Sequence, residues 1–146
     1  MLSKTSEYGI RALIYIQSEN QAGKRPKVPE IAKGIGSPTH YTAKVLQTLA
    51  RHKLVNSAKG RGGGFYFQEE ADPTSLYDVI KLLEGEAFFS RCGFGLDSCS
   101  DGHPCPMHDD YHPIREKYIE TVSSLTIHDL ALKVGQNKAY LHDKLW

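Results

Sequence analysis

Three cysteines and a histidine fall close together: Cys92, Cys99, Cys105 and His108, with six, five and two residues between successive members. Thiolates and imidazole bind zinc and iron–sulfur clusters. Structural zinc sites usually bring a tight cysteine pair with two residues between, and these cysteines form no such pair. Wide spacing in a flexible, glycine-rich stretch suits a larger object, a cluster of two or four irons (2Fe-2S or 4Fe-4S). Three cysteines leave a fourth ligand open. His108, His103 or a carboxylate from elsewhere could supply it. Unmetallated thiols acting as a redox switch, and zinc, are the alternatives. An odd number of cysteines crowded together makes a poor disulfide framework.

A second constellation is cationic. Lys24, Arg25, Lys27, Lys33, Lys44, Arg51, Lys53, Lys59 and Arg61 face a single acid, Glu30, within their stretch, although the net charge of the chain is only +1. Thr39, His40, Tyr41 and Thr42 stand where a helix should begin, with Lys44 and Arg51 further along it. Side chains at a recognition-helix start reach base edges while neighbouring cations clasp phosphates. Lys59 and Arg61 flank a glycine in a turn whose tip could enter a minor groove. Tyr41 could equally be core.

These residues need elements to position them. Residues 3–19 carry Ile10, Leu13, Ile14 and Gln17 at helical spacing. A polar loop follows over 20–27. Residues 28–33 read as a short helix with Pro29 in its first turn, ended by Gly34 and Gly36. Ser37 or Thr39 is the candidate N-cap of a second helix over 39–52, with Val45, Leu46 and Leu49 inward. Two short helices joined by a glycine-containing turn make a helix-turn-helix. Leu54-Val55 and Phe65-Tyr66-Phe67 are strand-like, and Lys59 to Gly64 between them makes a hairpin wing. Thr74 should cap a helix over 75–83. Residues 88–108 have no periodicity, which for so long a loop calls for a functional reason. Over 113–125, Ile114, Tyr118, Val122 and Leu125 make a narrow apolar seam suited to a partner helix. A last helix over 126–134 and a polar tail over 136–146 complete the chain.

The expected fold is therefore mainly α with a small β-hairpin wing: a winged helix-turn-helix plus a long C-terminal dimerisation helix. Its expected divisions are a DNA-binding domain over 1–84, a cysteine-rich loop over 85–108, the dimerisation and last helices over 109–135, and the tail. No apolar run approaches membrane-spanning length, and the N-terminal apolar stretch is broken by Arg11 with no cleavage signal behind it, so a cytoplasmic location is expected. No general-base motif accompanies the cysteines, so an enzyme is not expected.

The stretches SKTSEYGIRALIYI and VPEIAKGIGSPTHYTAKVLQTLARHKLV, the wing KGRGGGF, the helix SLYDVIKLLEG and the three-cysteine loop before a long helix resemble the Rrf-two (Rrf2) family of bacterial transcription regulators, over about residues 2–134. The resemblance implies a homodimer joined through residues 109–125, double-stranded operator DNA as partner, and an iron–sulfur cluster on Cys92, Cys99 and Cys105. In one branch of the family the fourth ligand is a histidine, matched here by His108. In another it is a carboxylate near the N-terminus of the other subunit, matched by Glu7. The interval between the first two cysteines is one residue longer here than in the family pattern. For DNA contact the resemblance points to His40, Tyr41, Ala43 and Lys59; one branch carries a glutamate at the position of Ala43, so a different operator preference is implied. The implied function is a repressor controlled by a cluster that senses redox, nitric oxide or iron–sulfur status. The alternative is a cluster-free regulator that uses thiols, zinc, a small ligand or a protein partner.

Overall fold

Helix α1 spans Lys4–Gln21 in the computed structural model, which describes residues 1–143. It starts at Ser3, whose hydroxyl accepts the Ser6 N–H at 3.2 Å. The Ser3 N–H donates to Glu84 at 2.7 Å and ties this start to the end of a later helix. Ala12, Leu13 and Ile16 of α1 are fully buried.

Helix α2, Val28–Ile35, and helix α3, Thr39–Arg51, form the helix-turn-helix. Gly36 alone ends α2, with φ +65°, a conformation in which a glycine lacks the usual steric penalty. Gly34, expected to end it, stays inside the helix. The Tyr15 ring occupies the space that a side chain at position 34 would need. Neither Ser37 nor Thr39 caps α3: the helix follows Pro38 with no side-chain cap, and the Pro38 carbonyl accepts the Thr42 N–H at 2.9 Å.

Strands β1, Asn56–Ala58, and β2, Gly64–Tyr66, pair antiparallel with Asn56 opposite Tyr66. Both lie slightly off the expected positions, for local reasons. Leu54 and Val55 sink into the core as the chain leaves α3, so pairing starts after them. Phe67 leaves the ladder because its N–H donates to the Asn20 side chain at 2.9 Å.

Helix α4, Leu76–Glu84, is capped by Ser75 rather than Thr74: the Ser75 hydroxyl accepts the Asp78 N–H at 3.0 Å. A 3-10 turn over Glu86–Phe89 leads into the cysteine loop. Helix α5 runs His108–Ser124, starting before Pro113, which sits inside it. Helix α6, Ile127–Gly135, is capped by Thr126.

The seam expected on α5 is split. Val122 is buried, whereas Ile114 is 66% and Tyr118 38% exposed. The face turned inward carries His108, Tyr111, Arg115, Ile119 and Val122. The Arg115 side chain is only 11% exposed, and its Nε and Nη1 have no hydrogen-bond partner among the described residues.

Two apolar clusters result among the described residues. The larger joins Leu13 and Ile16 to Ile31, Ile35, Leu46, Leu49 and Val79, and it includes Ile127 and Ala131 of α6. The smaller joins Ile80, Phe89 and Val122. Helix α6 thus packs back along α1, in the same cluster as α2 and α3, rather than as a continuation of α5. The tail is not purely solvated either. Leu141 packs against the larger cluster, and the Arg11 guanidinium donates to the carbonyls of Ile35 and Leu141 at 3.4 Å each. The tail residues 144–146 lie outside the described residues.

Ile127→Ala should lower unfolding free energy by about 2–5 kcal/mol, the usual range for such a truncation in a packed core. Urea unfolding at fixed protein concentration checks this. A loss below about 1 kcal/mol would remove α6 from the core.

Candidate nucleic-acid interface and cysteine site

The helical period decides which residues of α3 are available. Val45, Leu46 and Leu49 turn into the core, so His40, Lys44, Gln47 and Arg51 share the outer face, with Thr39 beside them at the helix start. Gln47 was not among the residues singled out from sequence; its place three positions after Lys44 on a helix is the signal that could have found it.

Thr42 does not belong to that face. It is fully buried, and its hydroxyl donates to the Pro38 carbonyl at 2.9 Å. The reason is helical phase: Thr42 precedes Val45 and Leu46 by three and four positions and shares their inward face. Tyr41 is half-buried. Its ring meets Tyr8 edge-on at 5.5 Å, and its hydroxyl lies 3.3 Å from that of Thr5, so much of this side chain serves to seat α3 on α1.

The wing is built by glycines. Gly60 and Gly62 take positive φ of 84° and 72°, and the Gly63 N–H closes the turn on the Gly60 carbonyl at 3.1 Å. Lys59 and Arg61 are exposed at its tip. The segment before α2 anchors it. The Phe65 N–H donates to the Pro26 carbonyl at 2.9 Å, and the Arg25 guanidinium lies 4.0 Å from the Tyr66 ring centre. Asn20 donates to the carbonyls of Lys24 and Phe65 and accepts from Phe67, bracing wing and loop together. Lys27 reaches the Gly60 carbonyl at 3.5 Å, so a further cation stands beside the tip.

The four sulfur and nitrogen donors lie in two pairs. Cys92 is buried and receives the Phe94 N–H at 3.4 Å. That amide, with those of Leu96 and Gly95 and the Cys105 thiol, favours the Cys92 thiolate more than burial opposes it, and holds its pKa below the ordinary thiol value. Burial, with the neighbouring Cys92 and Cys99, pushes Cys105 the other way. The second pair is Cys99 and His108, with Sγ 3.2 Å from Nδ1. His108 opens α5 and is 6% exposed. Among the described residues, no three His, Cys, Asp or Glu side chains converge as a single-ion site. Glu7 stands in the first turn of α1, paired with Lys4 at 2.7 Å.

A helix-turn-helix followed by a cationic hairpin defines the winged-helix class of DNA-binding protein. Residues 2–133 match the Rrf2 family, described as an iron-dependent transcriptional regulator, and the chain belongs to that family. A protein of Aquifex aeolicus described as a helix-turn-helix transcriptional regulator is 31% identical over 133 residues, which cover 89% of this chain and 90% of that protein. The fold is shared with the global cysteine regulator CymR of B. subtilis (TM-score 0.72, 23% identity, 90% of this chain and 96% of that one). It is shared also with IscR of T. potens (TM-score 0.69, 18% identity, 95% and 91% of the two chains).

Thr42→Val should cost about 0.5–1.5 kcal/mol of stability, the net worth of one hydrogen bond, and leave sequence preference on DNA unchanged. Unfolding curves beside a binding assay on a selected DNA pool check this. Altered base preference at unchanged stability would return Thr42 to the interface.

Proposed function

We propose that this transcription regulator binds operator DNA as a homodimer, and that an iron–sulfur cluster on Cys92, Cys99, Cys105 and His108 controls the binding. The observation that carries the proposal is the donor set: three thiols and an imidazole on one loop, one thiol ringed by backbone N–H groups that favour the ligating thiolate form. The set fits such a group chemically, and two donor pairs suit a polynuclear centre better than one ion. The family's description as iron-dependent agrees with this. When bound, such a cluster supplies a centre that responds to oxidants, nitric oxide or iron supply.

The chain's own residues would carry the signal. Phe89 lies three positions before Cys92, stacks on Tyr77 of α4 at 4.4 Å and approaches Tyr118 of α5 at 6.1 Å. Ordering the loop at Cys92 would therefore press on the α4–α5 contact. The exposed Ile114 and Tyr118 give α5 an apolar face for a second copy. A shift of α5 would then change the separation of two recognition helices, which must match half-sites one DNA turn apart. Thr39, His40, Lys44, Gln47 and Arg51 would enter or flank the major groove, with Lys59, Arg61 and Lys27 on the backbone beside it. No described helix is long and apolar enough to cross a membrane. A chromosomal operator places the working protein in the cytoplasm.

Anaerobic protein should absorb broadly in the visible and contain iron and sulfide, and Cys92→Ala should lose both. Iron-free, colourless protein after reconstitution would end the cluster reading and pass the cysteines to a thiol or zinc role. Lys59→Ala and Arg61→Ala should each weaken DNA binding and lower the slope of log affinity against log salt by about one per wing, about two for the homodimer. An unchanged slope would take the wing off the phosphates.

A further inference from the structure

His108 is buried, and a buried imidazole needs a partner at each ring nitrogen. Nδ1 lies 3.2 Å from Cys99 Sγ, and Nε2 lies 2.8 Å from Asp101 Oδ1. An ionised carboxylate only accepts, so Nε2 must carry a proton and donate it. In the neutral ring Nδ1 is then left with a lone pair, directed at Cys99. The hydrogen bond made by one ring nitrogen sets the role of the other.

The loop is shaped to deliver that carboxylate. Ser100 to His103 form a turn in which the Ser100 hydroxyl and carbonyl accept the N–H groups of Gly102 and His103, each at 3.2 Å, and Asp101 sits at its corner. The Cys99 N–H donates to the Ser90 carbonyl at 3.4 Å, and the His108 N–H donates to the Cys105 carbonyl at 3.0 Å. Asp101 is otherwise 92% exposed, so burial does not hold it there; its link to His108 does. Glu7, the other candidate, is engaged with Lys4.

Building on the cluster reading above, we propose that Asp101 is a positioning residue: it fixes His108 with Nδ1 as the ligating atom, and so makes His108 rather than Glu7 the fourth ligand. A carboxylate behind a ligating imidazole orients the ring and raises its basicity, and removing such a partner typically costs about 10–100-fold in affinity for the bound group. Asn at position 101 can still accept through its amide oxygen. Ala cannot.

Two measurements test this. In protein labelled with ¹⁵N-histidine, NMR of the cluster-free form should show His108 protonated at Nε2 in the wild type and in Asp101→Asn, and released from that tautomer in Asp101→Ala. After anaerobic reconstitution, pulsed EPR of the paramagnetic cluster should show a histidine nitrogen coupling in the wild type and in Asp101→Asn. Asp101→Ala should lose that coupling and shed iron to a chelator about 10–100-fold faster. A wild-type cluster without histidine coupling would overturn the proposal, as would an Asp101→Ala variant that keeps both coupling and lifetime. Wild type that takes up no iron would contradict the cluster reading and, with it, the ligand choice. The NMR result would then decide separately whether Asp101 orients the ring.

Discussion

Ala12, Leu13 and Ile16 of α1 are fully buried because α1 is packed against α2, α3, α4, β2 and α6. A helix held on so many sides can seat several elements in a fixed mutual geometry. Tyr41 meets Tyr8 from the recognition helix, Asn20 holds the wing, and Ser3 holds the end of α4. A DNA reader needs this fixity, since its recognition helix and wing must meet the groove and the backbone at once. Close packing makes such a module respond to force as a body, not by bending.

The cysteine loop is built by the opposite principle. Phe94 and Leu96 are 60% and 49% exposed, and beyond the local turns the loop's hydrogen bonds are a few longer reaches, from Cys99 to Ser90 and from His108 to Cys99 and Asp101. A segment with little buried apolar surface opens at low cost and is where ligand-responsive order belongs. Phe89, buried between α4 and α5 with Ile80 and Val122, ties it to the rigid part at one end, and His108 of α5, in contact with Cys99 and Asp101, ties it at the other. A soft segment joined to a firm one through a few buried anchors can convert local order into a shift of a whole helix. Arg115 sits on the inner face of α5 with two donor nitrogens unmatched among the described residues.

Much of this could be read in the sequence, because periodicity and turn chemistry act locally. The helix-turn-helix, the wing at Lys59 to Gly64, and α4 follow from spacing and glycines, although the caps expected at Ser37 or Thr39 and at Thr74 do not form. What could not be read depended on tertiary contacts. Gly34 looks like a helix end, and only the Tyr15 ring explains why it is an interior residue. Thr42 looks like a base contact until the inward faces of Val45 and Leu46 fix the phase of α3. Pro113 looks like a helix start, yet α5 already begins at His108. Asp101 has no motif to announce it; its role rests on a turn that brings it against a residue seven positions on.

The central claim is that the state of the cysteine loop sets the affinity for DNA. The most direct test is to select binding sites from a random double-stranded DNA pool under anaerobic conditions. Affinity for the selected site is then measured, at one salt concentration, with the iron-loaded and iron-free forms of the same preparation. The account predicts a difference of at least about tenfold for the selected site, equal to roughly 1.4 kcal/mol, and no comparable difference on non-specific DNA. Equal affinities of the two forms for the selected site would contradict it.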